Sequence, residues 1–335
     1  MDGRVIVVGG GVAGMSCAIT LKKAGIEPLI IERSSQLGGN AANWHKLFPT
    51  FDSRENIVDP IVNTVAKLGI RVLYNEEVER INPKGVMLKN GRNYYADTVV
   101  VCTGYELFDA RRKEEYGYGI YKNVFTTADI ERMFNQNCVQ TAQGTAPKRV
   151  AFLHCVGSRD EKVGNSYCSK VCCITGVKQA IEIKQMYPDC EIFNFYMDIR
   201  MFGPGYEELY KKAQVEHNIH FIRGRISEAS PTIDNRIQIK AEDTLVGRPL
   251  KMTVDMFVLI IGMQAGANNK DFALCRGLKQ APNRFMEPLD PFWNNTASGC
   301  SNIFYAGAVT APKNIGESIN EGVAAAMKVI EKMSD

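Results

Sequence analysis

Cys155, Cys168, Cys172 and Cys173 carry the densest chemistry in this 335-residue chain. They fall as Cys-x12-Cys-x3-Cys-Cys within His154-Cys155-Val156-Gly157-Ser158-Arg159-Asp160 and Tyr167-Cys168-Ser169-Lys170-Val171-Cys172-Cys173. Four thiolates match the protein ligand set of a cubane iron–sulfur cluster, although this spacing is neither that of bacterial ferredoxins nor that of zinc ribbons. A vicinal Cys172–Cys173 disulfide, a zinc ion and a packed set of inert thiols are the competing readings. Ile174, Val177, Ala180 and Ile181 follow at helical spacing, which puts Cys172 and Cys173 at or near a helix N-terminus, where the dipole favours thiolate. Adjacent helical residues point about 100° apart, so the pair can serve two corners of one cubane.

The element ahead of the cysteines sets their context. Arg149 to His154 is apolar and closed by a polar residue, a short buried strand. A nicotinamide-binding domain would continue with Gly-x-Gly-x-x-Gly. Only Gly157 is present, and thiols occupy the turn. Redox or metal chemistry stands where a nucleotide would bind.

An intact phosphate loop opens the chain. Arg4-Val5-Ile6-Val7-Val8 predicts an apolar strand, followed at once by Gly9-x-Gly11-x-x-Gly14 and a helix carrying Ala13, Ser16, Ala18 and Leu21. Gly9 allows the sharp turn, Gly11 lets a pyrophosphate approach, and Gly14 lets helix and strand pack closely. The strand Pro28 to Ile31 ends at Glu32, placed to accept hydrogen bonds from a ribose. Leu37-Gly38-Gly39-Asn40 adds a glycine pair, Thr98 to Val101 runs into Cys102-Thr103-Gly104, and Asn302 to Ala306 runs into Gly307-Ala308. A closing helix is predicted with Ile319, Val323, Ala326 and Ile330 along its apolar side.

These features resemble the flavoproteins of the thioredoxin reductase and glutathione reductase type. The resemblance implies an α/β fold of two Rossmann-like dinucleotide-binding domains with a discontinuous FAD domain. Its segments are expected at 1–118 and 262–335, with an inserted second domain at 119–261. The polar stretch Asn135 to Pro147 reads as a linker or surface loop into that second domain, and Val254 to Ile261 reads as the strand that hands the chain back. The same resemblance implies FAD contacts at Gly9, Gly11, Val12, Ala13, Gly14, Glu32, Arg33, Gly38, Gly39, Asn40, Val78, Thr103, Gly104, Gly307, Ala308, Lys313 and Ser318. Thioredoxin reductases place aspartate at the position of Ala308, so a ribityl contact must come from backbone or from Lys313 and Ser318.

Composition narrows the function classes. At 45% hydrophobic residues the chain can fill two cores. A net charge of +3, with Lys and Arg spread along the chain, gives no reason to invoke nucleic acid. No apolar run approaches the roughly 20 residues of a membrane span. A Rossmann strand at the very start leaves no room for a signal peptide, and ten cysteines without one indicate reduced thiols in the cytoplasm.

The motifs at 154–160 and 167–173, with Phe-Tyr-Met-Asp-Ile-Arg at 195–200, Gly-Pro-Gly-Tyr-Glu-Glu at 203–208 and Phe-Ile-Arg-Gly-Arg at 221–225, resemble the A subunit of heterodisulfide reductase. The resemblance spans nearly the whole chain. It implies that Cys155, Cys168, Cys172 and Cys173 ligate a non-standard [4Fe-4S] cluster, that partners are other subunits of a heterodisulfide reductase-like complex, and that the chain is a homodimer. Methanogen relatives carry ferredoxin modules, whereas no Cys-x2-Cys-x2-Cys run occurs here. That compact form resembles the bacterial sulfur-oxidising heterodisulfide-reductase-like system, and less closely the quinone-interacting complexes of sulfate reducers. The expected function is an FAD- and [4Fe-4S]-containing electron-transfer subunit. The alternative is a self-contained thiol–disulfide oxidoreductase exchanging through Cys172 and Cys173.

Lys178, on the cysteine helix, and Lys313, before the closing helix, are expected to place cations near the flavin ring and tune its potential. Cys17, Cys102, Cys138, Cys190, Cys275 and Cys300 read as structural, as do His45 and His154. Lys22-Lys23 and Arg111-Arg112-Lys113 read as solvated faces, the latter also as a place where a partner could dock.

Overall fold

The structure, a computed structural model, describes residues 5–334; Arg4 lies outside them. The chain divides into two compact units, one of residues 1–43, 54–106 and 264–335, the other of 44–53 and 107–263.

The first unit is built on a five-stranded parallel sheet. Val5–Val8 is its centre, flanked by Pro28–Ile31 and Thr98–Val101. Arg71–Leu73 pairs outside Pro28–Ile31, and Ile303–Tyr305 outside Thr98–Val101. Strands buried on both faces must be apolar throughout, as these are. Val5, Val7 and Val100 feed one core with the helices, while Ile6, Val8, Val99 and Val101 feed the other. An antiparallel sheet of Val78–Asn82, Gly85–Leu88 and Asn93–Tyr95 completes the unit.

The second unit repeats this plan. Its parallel sheet runs Val124–Thr126, Met256–Ile261, Arg149–Val156, Glu191–Tyr196, His220–Arg223. Its antiparallel sheet is Ile226–Pro231, Ile237–Asp243 and Arg248–Val254. Alternate residues of the central strand again face two cores, Val150 and Phe152 on one side, Ala151 and Leu153 on the other.

Several expectations need correction. The first unit gives way to the second at 106/107, not 118/119, because Phe108, Ala110 and Tyr116 pack into the core of Leu153 and Phe257. Residues 44–53 also leave the first unit, since Phe48 and Phe51 pack on the second unit's core. Of the two readings of Asn135 to Pro147, the surface loop holds: the stretch is mostly exposed, lies within the second unit, and is anchored by buried Val139 and Thr141 and by Asn123, which binds both Ala142 N–H and Gln143. Lys113 is not solvated but buried between Asp160 and Glu115, each 2.8 Å away. In the closing helix, Ile315–Ser334, the buried residues are Ser318, Gly322, Ala325, Ala326 and Val329, and Val323 is exposed. Gly322 sets that rotation, because a Cβ there would stand 2.3 Å from the Ala13 carbonyl oxygen.

Candidate functional site

In the first unit the glycines and polar residues converge at the carboxyl ends of the parallel strands, where open α/β sheets bind ligands. The strand Val5–Val8 ends at Gly9, whose φ of 104° and a would-be Cβ 2.5 Å from the Cys102 oxygen admit only glycine. Gly14 lies against the Gly9 oxygen at 1.9 Å from an added Cβ, so the helix Val12–Lys23 sits directly on the turn. Gly11 differs: a Cβ there meets no protein atom within 4 Å. Gly38 and Gly39 have φ of 108° and 58°, and the Gly38 N–H binds the Gly10 oxygen at 2.9 Å. A side chain at Gly39 would press on the Gly11 Cα at 3.1 Å.

Glu32 is buried at the end of its strand. It accepts from the Gly10 N–H at 2.6 Å and from the Ser34 N–H and hydroxyl at 2.8 and 2.7 Å. These bonds fix the carboxyl group beside the turn and leave lone pairs on its oxygens for a further donor. Thr103 follows the strand Thr98–Val101, and its buried hydroxyl has no hydrogen-bond partner. Gly104 is left-handed, and the Asn40 amide donates to the Tyr105 oxygen at 3.0 Å. Val78, Val12, Ala13 and Ala308 are buried, whereas Arg33 is exposed, 3.9 Å from Glu106. A glycine cradle open at Gly11 and an orphan hydroxyl at Thr103 fit a dinucleotide.

Gly307 ends the strand Ile303–Tyr305 with φ 75°, its N–H donating to Glu321 at 3.0 Å. Lys313 donates to the Gly307 oxygen at 3.1 Å and pairs with Glu321 at 3.2 Å. Burial raises the Glu321 pKa above the usual carboxylate range, and Lys313 opposes that. Ser318 bonds the Asn314 oxygen at 2.8 Å, beside Gly307. Sequence reasoning missed Glu321, which nothing but its helical position announces.

The second unit places the cysteines at the corresponding strand ends. The central strand continues past His154 to Val156, with a register shift between Leu153 and Val156 that leaves Cys155 on a bulge at φ 63°. Arg159 and Lys170 are also left-handed, at 53° and 66°. Among the described residues, five that are neither glycine nor asparagine have positive φ, and three lie in this loop. Each such residue costs roughly 1–3 kcal/mol, so the surroundings hold the loop in this shape for a reason. Cys172 and Cys173 open the helix Cys172–Met186.

Each of the four thiols lies within electrostatic reach of the other three. Cys155, Cys172 and Cys173 are buried, and Cys168 is partly exposed. Burial pushes the Cys155 and Cys172 thiols up and raises Cys173 to about 12. Arg159 pulls Cys155 the other way, and the Arg200 N–H does so for Cys173. The Lys170 N–H points at Cys168 Sγ, 3.3 Å away. Among the described residues, no three His, Cys, Asp or Glu side chains close around a point that would hold one metal ion. In a cubane each cysteine binds a different iron, which spaces the sulfurs more widely than a single ion does. Four thiolates are a donor set that suits thiolate-bound iron or zinc alike.

Behind the cysteines, Ser158 and Ser169 join at 2.6 Å and Ser169 accepts the Met263 N–H at 2.8 Å. His154 is buried, and its Nε2 meets Asn194 Oδ1 at 2.9 Å. Lys178 corrects its expectation. It is 1% exposed and clamped by Glu131 at 2.6 Å and Glu182 at 2.9 Å, with His45 on the same Glu182 at 3.1 Å. Its charge is neutralised inside the second unit.

A model of NAD(P)-binding Rossmann-like domains matches residues 7–73. The A subunit of the H(2)/formate:CoB-CoM heterodisulfide,ferredoxin reductase of Methanococcus maripaludis is 30% identical over all of this chain and 65% of that protein. The iron-sulfur A subunit of the CoB–CoM heterodisulfide reductase of Methanocaldococcus jannaschii is 30% identical over 98% of this chain and 64% of that protein. The chain is similar along its whole length to heterodisulfide reductase A subunits.

It spans just under two thirds of these A subunits. The first alignment runs over 426 positions, more than the 335 residues here, so the M. maripaludis protein carries insertions relative to this chain. Among solved structures, T. acidophilum thioredoxin reductase superposes with a TM-score of 0.71 at 16% identity, covering 99% of this chain and 98% of that one. The sulfide:quinone oxidoreductase of Aquifex aeolicus gives 0.69 at 19% identity, covering 99% and 77%. The fold is the two-domain α/β fold of thioredoxin reductase. Among the described residues no helix is long and apolar enough to cross a membrane.

Proposed function

We propose that this chain is an FAD- and [4Fe-4S]-containing electron-transfer subunit of a heterodisulfide reductase-like complex, working in cytoplasmic sulfur-compound oxidation and present as a homodimer. The observation that carries the reading is the substitution at equivalent strand ends. One unit has a glycine cradle open at Gly11, and the other has four thiols within electrostatic reach of one another, in a loop left-handed at Cys155, Arg159 and Lys170. Bound FAD and a cluster would supply a two-electron and a one-electron carrier, respectively.

The protein's own part is to hold and tune them. Gly9, Gly11, Gly14, Gly38 and Gly39 would admit the pyrophosphate, Glu32 the ribose, and Thr103 and Gly307 the remaining cofactor. Lys313, held at Gly307, would lend positive charge to the reduced ring, moderated by Glu321. Cys155, Cys168, Cys172 and Cys173 would bind iron, with the nearby arginine charge and the Lys170 N–H offsetting the anionic sulfurs.

The competing reading makes Cys172 and Cys173 an exchanging dithiol. Both are buried, which restricts the approach of a substrate disulfide to either sulfur. An A-type protein of a quinone-interacting complex differs from the favoured reading only in its partners. Anaerobic purification followed by flavin and iron assay separates the first two. One FAD and about four irons per chain, with broad absorption beneath the flavin bands, is the expected result. Flavin without iron would hand the function to the dithiol.

A further inference from the structure

Several cations stand on the loops around the cysteines. Asp198, exposed after the strand Glu191–Tyr196, receives Arg159 Nη2 at 2.7 Å and Arg223 Nη2 at 3.7 Å. Together with Arg200, these groups hold its carboxyl below the ordinary range, the Arg159 hydrogen bond contributing most. Asp198 is also tied to the cysteines, for its backbone oxygen lies 3.8 Å from Cys173 Sγ. Lys170, two residues beyond Cys168, stands 5.8 Å from the ring centroid of exposed Phe202. Arg225 lies 3.9 Å from Asp160, a carboxylate already neutralised by Lys113.

These cations divide by position. Arg159 is partly buried and reaches Cys155, so it acts on the sulfurs. Arg200 and Arg223 are exposed. A charge in water does little for a buried centre but strongly affects a charged body that approaches it. Cys168, the partly exposed thiol, gives such a body its shortest route to the sulfurs.

We propose that Lys170, Arg200 and Arg223, around Cys168 and Phe202, form the docking face for a small acidic one-electron carrier protein. The inference rests on the reading of the four cysteines as cluster ligands. One electron would pass between carrier and cluster, oxidising one and reducing the other, with no bond formed or broken and no proton moved. Rim charges of this kind act on association rate and salt dependence.

The test uses the full-length, cofactor-loaded chain and a bacterial flavodoxin, an acidic carrier free of iron, so that iron assays of the chain stay readable. Affinity is measured at low and high ionic strength for the native chain, for Arg200→Glu/Arg223→Glu, and for Lys251→Glu, an exposed lysine on the antiparallel sheet of the same unit. The expected result is about tenfold weaker binding in the double variant and in high salt, with Lys251→Glu as native and iron unchanged in all three. Equal affinity in the double variant with iron intact would overturn the docking face. So would heparin binding that tracks the same arginines while flavodoxin fails to bind. A native chain without iron would instead remove the cluster reading on which the proposal rests.

Discussion

Gly157 faces the ring of Phe108: a Cβ on the glycine would stand 2.1 Å from the nearest ring atom. The glycine is left-handed, with φ 71°. The turn that would cradle a second dinucleotide is therefore filled by an aromatic ring from its own unit, on top of losing its glycine pattern. NADH or NADPH should reduce the bound flavin negligibly, whereas a low-potential one-electron donor should reduce both centres. Stopped-flow bleaching of the flavin by stoichiometric NADH would refute this.

Gly11 and Gly14 should separate cofactor loss from fold loss. Gly11→Val places its side chain in space free of protein atoms, so a folded but colourless protein is expected. Gly14→Ala drives a methyl to 1.9 Å from the Gly9 oxygen and should cost about 1–3 kcal/mol or more. Thermal melts and flavin fluorescence, taken together, read the two effects. Full flavin in Gly11→Val would place the pyrophosphate elsewhere.

Replacing Cys155, Cys168, Cys172 or Cys173 by Ala should abolish or sharply reduce iron while leaving FAD bound, because thiols and glycine cradle belong to different units. Cys275→Ala is the control, since Cys275 lies in the first unit's core among apolar side chains. Normal iron in all four variants would mean that the ligand set is wrong.

The two lysines should now behave differently. Lys178→Ala removes the buried cation that Glu131 and Glu182 share, leaves Glu131 without its ion-pair partner, and should cost about 3–5 kcal/mol of stability. Lys313→Ala should lower the flavin midpoint potential by up to about 30 mV, a tenfold change for a two-electron couple. Glu321→Gln, which frees the Lys313 charge, should raise it. Spectroelectrochemical titration decides the matter; a common potential in both variants would end the role of Lys313.

The sequence disclosed what depends on local pattern. Val5–Val8, Pro28–Ile31 and Thr98–Val101 are apolar because both faces are buried, and that reads directly. Cys172 and Cys173 at a helix start followed from the spacing of Ile174, Val177 and Ile181. What stayed hidden depends on partners distant in sequence. Lys178 looked like a free cation because Glu131 lies 47 residues away. Lys113 sat in a basic run, and only Asp160 shows why it is buried. Val323 obeyed the helical period, but Gly322 turned the helix so that its own backbone met Ala13. Arg159 stands inside the motif at 154–160, yet its bond to Asp198 needs two strand ends brought side by side.

The Gly322–Ala13 crossing also orders events on the ribosome. The helix that follows the glycine cradle finds its backbone-close neighbour about three hundred residues later, and the edge strand Ile303–Tyr305 arrives nearly as late. Every strand of the second unit's two main sheets has been synthesised by Ile261. Domains generally fold as units during synthesis, so the cysteine-bearing unit can close while the first is still an unfinished sheet. The thiols are thus gathered before the glycine cradle has its final wall, and on the proposed cluster reading iron would precede flavin in the maturation of the chain.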